Sequence, residues 1–219
     1  MAEHLSRPLY ERNLPTVRTV PAWPRNPGNT ETLKFTLVAT MFQDDTQWSE
    51  NQFIYGGSWN HPVEPVVVKF TRKYCPELHH FCAEQGHAPK LFGYGIIPGG
   101  WHVVMMEYID QDIDLARLAP LHWDRWNEDL TKLVQTFHEK GLVHGDLRRA
   151  NTIFREGDAG RIILIDFDWG GEAGTALFPT RLLNSELTGE SELTSLVITK
   201  EHDNRVLGNA LDKLKHVTD

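Results

Sequence analysis

The stretch His144-Gly145-Asp146-Leu147-Arg148-Arg149-Ala150-Asn151, followed after a short loop by Ile162-Ile163-Leu164-Ile165-Asp166-Phe167-Asp168, decides how this chain is read. It places an Asp and an Asn five residues apart on a loop after a long helical pattern, and a third carboxylate just past an apolar strand. Phosphoryl transfer needs such a set. One carboxylate orients the attacking hydroxyl, while an amide oxygen and a second carboxylate hold Mg²⁺ on the phosphates. Hard oxygen donors suit Mg²⁺, and no Cys/His cluster competes with them in the sequence.

Working outward, Trp123 to Lys140 carries Leu130, Leu133, Val134 and Phe137 at helical spacing, with Gly141 as its stop. Thr152–Phe154 and Arg161–Ile165 read as a hairpin around Glu156–Gly160. The tail from Thr199 to Lys215 puts Val206, Leu207, Ala210, Leu211 and Leu214 on one helical face. Upstream the period changes to that of strands. Leu33–Met41, Asn51–Tyr55 (closed by Gly56 and Gly57), Glu64–Phe70, Lys90–Gly95 and Trp101–Tyr108 all read as strands, the last two joined at Pro98-Gly99-Gly100. A single short helix, Pro76–Gln85, interrupts them, with proline in its first turn and Gly86 after it. Residues 1–32, with five prolines among polar residues, read as an irregular arm and not a core element. The expectation is an α+β chain of two lobes. A sheet-rich lobe spans 33–107, a helical lobe with the loop spans 108–219, and the ligand site lies in a cleft.

Composition bounds the function. The chain has 219 residues and a net charge of −8, which argues against nucleic acid or anionic membrane as a partner. No run approaches the roughly 18 apolar residues of a membrane span, and Met1–Pro15 has no apolar stretch of a secretory signal. Cys75 and Cys82 lie two helical turns apart, about 10 Å along the axis, too far for a disulfide. These features read as an intracellular, reducing setting, cytoplasmic or nuclear. His79, His80, His87, His102 and His122 show no paired ligand spacing and read as surface or packing residues.

The catalytic loop and strand motifs resemble those of the protein-kinase-like superfamily, whose loop reads H-R-D-x-x-x-x-N and whose metal motif reads D-F-G. This chain has H-G-D-L-R-R-A-N and D-F-D. It looks most similar to fungal kinase-like proteins whose loops read HGDLR-x-x-N and IDFDW, over about residues 33 to 215. The resemblance implies a two-lobed kinase-like fold with a reduced second lobe, ATP and Mg²⁺ as cofactors, and a protein Ser/Thr hydroxyl as acceptor. It assigns Asp146 as the group that accepts the hydroxyl proton, Arg148 as the loop cation, and Asn151 and Asp166 as metal ligands. Val66-Val67-Val68-Lys69 resembles the V-A-I-K strand, so Lys69 is expected at the phosphates, with Glu77 as its partner and Glu84 as the alternative. Glu107, Tyr108 and Ile109 are expected as the hinge that binds adenine. Asp203 is either a brace for the loop or a solvated charge at a helix start.

The motifs depart from that pattern in four places. No G-x-G-x-x-G precedes Lys69, and residues 41–57 include Asp44 and Asp45 instead. Gly145 replaces the usual Arg, Asp168 replaces Gly, and a single convincing helix follows residue 185. Two further readings follow. H-G-D and D-F-D resemble small-molecule kinases of the choline and aminoglycoside type. The missing glycine loop and short second lobe fit a pseudokinase acting as a binding or scaffold module.

Overall fold

A computed structural model describes residues 15–24, 31–40, 52–59, 64–110, 115–155, 161–180, 183–189 and 195–215. The segment 41–51, where a glycine loop was sought and where Asp44 and Asp45 fall, lies outside them, as does the Glu156–Gly160 turn. The described chain forms two compact units, one from residues 1–73 and 90–108, the other from 74–89 and 109–219.

The first unit is an antiparallel sheet of six strands: β1 (Thr19–Pro21), β2 (Thr32–Thr40), β3 (Gln52–Trp59), β4 (Glu64–Thr71), β5 (Leu91–Ile97) and β6 (Trp101–Glu107), in the order β1-β2-β3-β4-β6-β5. Alternation makes it one-sided. On β2, Leu33, Phe35 and Leu37 are buried while Lys34, Thr36 and Val38 are exposed. They pack with Val20, Tyr55, Val66, Val68, Phe70, Val103 and Met105. Each large apolar side chain so buried contributes about 1.5–3 kcal/mol.

Two expectations change here. The arm expected over 1–32 supplies β1, and its Val20 belongs to the core. β1 pairs with β2 through Thr19–Lys34, Val20–Leu33 and Pro21–Thr32. Just beyond it, Ala22 bridges Gly93, and the Trp23 amide donates to the Phe92 carbonyl at 2.8 Å. One short segment therefore touches both ends of the sheet and covers edges that would otherwise be unpaired. Gly56 and Gly57 do not close β3, which runs through them to Trp59. A Cβ on Gly57 would come within 2.8 Å of the Thr36 carbonyl, beside the register shift between Leu37 and Ala39. The glycine marks a bulge and not a stop.

The second unit holds α1 (Pro76–Glu84), α2 (Leu115–Glu139), β7 (Leu142–Val143), a 3₁₀ turn at Arg149–Asn151, β8 (Thr152–Arg155), β9 (Arg161–Leu164), β10 (Gly171–Glu172), α3 (Ser185–Thr188) and α4 (Lys200–Lys215). The helix expected at Trp123 begins at Leu115. On α2, Trp126, Leu130, Leu133, Val134 and Phe137 are buried at helical spacing. On α4, all five apolar residues expected on one face are buried. Trp123 Nε1 on α2 donates to the Leu211 carbonyl of α4 at 3.0 Å. α1 was expected with the sheet, yet its described contacts lie here. The Cys75 amide donates to the Phe167 carbonyl at 3.1 Å, and His87 holds β9 through Leu164 N–H and the Ile162 carbonyl. Cys75 and Cys82 are free and buried.

Candidate functional site

α2 stops at Glu139, and β7 pairs with β10 through Val143–Gly171 and Leu142–Glu172, delivering the chain into the loop at His144. Asp203 fixes the loop from below. This carboxylate is 0% exposed. Its Oδ2 accepts the His144 amide at 2.7 Å and lies 3.2 Å from His138 Nε2, and its Oδ1 accepts the Gly145 amide at 2.7 Å. A buried carboxylate requires such partners, so Asp203 is the brace and not the solvated charge.

Gly145 has φ +84°, and a Cβ there would come 2.7 Å from Ile198 Cδ1 and 3.2 Å from Trp169 Cβ. The backbone and its neighbours both exclude the arginine that the resemblance leads one to expect. His144 is fully buried, and its Nδ1 accepts the Asp146 amide at 3.2 Å. Burial holds its imidazole below the ordinary histidine value, against the opposing pull of Asp203, Asp146 and Asp166.

Asp146 is buried apart from a small edge. Arg148 grips it with both prongs, Nε to Oδ1 at 2.5 Å and Nη2 to Oδ2 at 2.8 Å. Those bonds raise the Arg148 pKa above its ordinary value. Each carboxylate oxygen has a second lone pair, so the grip leaves acceptor capacity for a hydroxyl. Asn151 Nδ2 donates to the Asp146 carbonyl at 3.1 Å, which turns the amide by its nitrogen and presents Oδ1 as an acceptor.

Asn151 precedes β8, and Ile165 follows β9. These strands pair from Thr152–Leu164 to Arg155–Arg161, and the Ile165 amide donates to the Asn151 carbonyl at 2.9 Å. Asp166 is the next residue. Asn151 and Asp166 therefore leave adjacent ends of one hairpin. Asp166 has φ +65°, the single non-glycine residue with positive φ among those described. Phe167 is buried, stacked on His79 with centroids 4.6 Å apart and planes at 8°, and 5.0 Å from the His144 ring. His79 is held at both nitrogens, by the Tyr74 hydroxyl at 2.6 Å and the Pro89 carbonyl at 2.7 Å. That carbonyl can only accept, so Nε2 carries the proton.

The remaining expected residues are placed as follows. Lys69, on β4 in the first unit, pairs in register with Ile54 and Val104 and is 3% exposed, a depth lysine almost never reaches unless paired. Glu107 closes β6, donating its amide to the Lys90 carbonyl and accepting the Lys90 amide on Oε2, both at 2.9 Å. Tyr108 is exposed and Ile109 half-buried. Glu77 is exposed in the second unit, where Cys75 Sγ donates to its Oε2 at 3.9 Å. Glu84 is also exposed, with His80 Nε2 3.5 Å away. Mg²⁺ keeps several waters and is met by one or two carboxylates plus phosphate oxygens. Asn151 Oδ1 and Asp166 fit that sparse set better than a closed cage. No group of three or more His, Cys, Asp or Glu suited to a metal occurs among the described residues. Among them, no helix is long and apolar enough to cross a membrane.

A family model described as the RIO domain matches residues 63–169, just under half of the chain, from the start of β4 past Asp168. Serine/threonine-protein kinase D of Synechocystis sp. is 30% identical over 105 residues, 47% of this chain and 20% of that protein. The chain thus spans about a fifth of that relative. Among solved structures, the Cydia pomonella granulovirus kinase PK-1 superposes with a TM-score of 0.61 at 13% identity, covering 84% of this chain and 71% of that one. The fold is α+β and protein-kinase-like.

Proposed function

We propose that the chain is an ATP- and Mg²⁺-dependent phosphotransferase that moves the γ-phosphoryl group to a Ser or Thr hydroxyl of a protein. The observation that carries this reading is the Asp146–Asn151–Asp166 arrangement, with Asn151 pinned to the Asp146 carbonyl and adjacent to Ile165–Asp166 across the hairpin. Mg²⁺ at Asn151 Oδ1 and Asp166 would neutralise charge on the phosphates. Asp146 orients the hydroxyl and takes its proton as the oxygen–phosphorus bond forms and the bond to the departing ADP breaks. Arg148, fixed against Asp146, keeps that carboxylate aimed and adds positive charge beside the transferred group. Lys69 supports the phosphates, and Glu107, Tyr108 and Ile109 supply the adenine contacts. The HGDLR-x-x-N and IDFDW motifs support a place beside fungal kinase-like proteins, in an intracellular setting. A small-molecule acceptor is the second reading, favoured by Gly145, whose position has no room for the arginine of protein kinases.

Two measurements test the proposal. Mg-ATP at 100 times its dissociation constant should stabilise the protein by about 2.7 kcal/mol, and Asp166→Ala should lose most of that gain. Asp146→Asn should keep the Mg-ATP shift while phosphate transfer falls by about 10² to 10⁴. Equal transfer by Asp146→Asn and the parent would remove Asp146 from the reaction.

A further inference from the structure

The guanidinium of Arg148 is shared between two carboxylates. Nε and Nη2 hold Asp146, while Nη1 lies 3.9 Å from Oε2 of Glu186 on α3. The other Glu186 oxygen is paired with Lys213, in the last turn of α4. Lys213, and after it Arg148, hold the Glu186 carboxyl below the usual range. A carboxylate therefore already sits between two cations from separate elements, one guanidinium's width from Asp146.

The two ends of this arrangement differ in strength. Arg148 is locked to Asp146 by two short bonds, whereas its contact with Glu186 is long. Glu186 is 34% exposed and Lys213 is 52% exposed, and pairs that wet hold weakly. Glu186 can leave without disturbing the Arg148–Asp146 grip, and the two cations then face solvent beside Asp146. In a chain of net charge −8, a pair of cations converging there is a local exception.

We propose that Arg148 and Lys213 form an acceptor subsite for an anionic group, a carboxylate or phosphate near the reacting hydroxyl, and that Glu186 is its internal stand-in. This rests on the phosphotransferase reading and names the acceptor class for it. An acceptor whose hydroxyl reaches Asp146 places a neighbouring anion where the Glu186 carboxylate now lies.

The test uses the full chain and matched peptides with one Ser flanked by Glu, Gln or phosphothreonine. The Glu peptide should show a KM about two- to fivefold below that of the Gln peptide at low salt, with kcat little changed, and the gap should close as salt rises. The phosphothreonine peptide separates phosphate from carboxylate as the better ligand. Glu186→Gln should lower KM for the Glu peptide further, and Lys213→Gln should erase the discrimination. Fluorescence anisotropy of the labelled peptides on the parent chain without nucleotide gives the same comparison without turnover. Better binding of the Glu peptide with no transfer would keep the subsite and sink the phosphotransferase reading. Equal KM and equal binding for Glu and Gln peptides, with transfer to both, would overturn the subsite alone, as would a raised KM in Glu186→Gln.

Discussion

Replacing Asp203 should unfasten the candidate loop, and the structure sets the size of the effect. Its carboxylate accepts two backbone amides at 2.7 Å and faces His138 at 3.2 Å, with no solvent to replace it. In Asp203→Asn one oxygen becomes an NH₂ group. If Oδ1 is lost, the Gly145 amide faces a donor; if Oδ2 is lost, the His144 amide does. Each buried donor left unsatisfied costs about 1–3 kcal/mol. Asp203→Ala strands all three groups, for which about 3–5 kcal/mol is expected. At about 2–4 °C per kcal/mol for a chain of this size, the Asn variant should melt about 2–12 °C lower and the Ala variant about 6–20 °C lower. Thermal unfolding of both, with His138→Ala alone and combined with Asp203→Ala, measures this. His138 shares Oδ2 with the His144 amide, so the pair should couple by at least about 0.5 kcal/mol. An Asp203→Ala protein melting within about 1 °C of the parent, or strict additivity with His138→Ala, would refute the brace.

Other outcomes follow from single contacts. Gly93→Val would drive a Cβ to 2.6 Å from Val20 Cγ1 and 3.0 Å from the Pro21 carbonyl, so it should cost about 1–3 kcal/mol in urea unfolding, whereas Gly208→Ala, inside α4 with nothing within 4 Å, should stabilise the protein by about 0.5–1 kcal/mol. Lys69→Met keeps the volume of a buried side chain and should weaken the Mg-ATP thermal shift, read against the variant's own melting temperature without nucleotide. His144, His202 and His87 are all held below 6.5 by burial. The fold thus favours their neutral forms, so their contribution is complete above about pH 6.5 and is lost as pH falls below it. Unfolding free energy should be flat from about pH 8 to 7 and decline towards pH 5; a rise on acidification would contradict the burial argument.

Elements whose periodicity is local could be read from the sequence, and contacts between distant residues could not. The alternation of Leu33, Phe35 and Leu37, the helical face of α4 and the β8–β9 hairpin each repeat within a few residues, and each appears in the structure. The loop motif likewise concentrates Asp146, Arg148 and Asn151 in eight residues. β1 has three residues among prolines and acquires its place from Leu33 and from Gly93 beyond it. The two glycines of β5, at positions 93 and 95, were the available signal, since a Cβ on Gly95 would come 2.8 Å from Pro21. The resemblance offers Asp203 as a brace or a solvated charge, and the sequence could not decide between them: it is 58 residues from Gly145, and no local pattern marks one carboxylate on α4 as buried and its neighbour Glu201 as exposed. Glu186 and Lys213 escaped for the same reason, because ordinary surface charges gain meaning only from Arg148 between them and Asp146.

The backbone gives an argument for the site that does not pass through motifs. Left-handed conformations cost a non-glycine residue about 1–3 kcal/mol and persist where surrounding structure over-determines them. Among the described residues, the one non-glycine case is Asp166. Its neighbours supply the over-determination. The Ile165 amide is bonded to Asn151 before it, and Phe167 after it is clamped by His79 and His144. The glycine beside Asp146 shows the same economy of space, with positive φ, its amide on Asp203, and Ile198 and Trp169 against the place a side chain would fill. A loop under no demand to aim particular side chains would relax to ordinary dihedrals at both points. Here one constrained residue, Gly145, precedes the carboxylate proposed to take a proton, and the other, Asp166, is the carboxylate proposed to hold a metal. The constraint therefore falls where displacement by about 1 Å would cost the most in a reaction that depends on positioning.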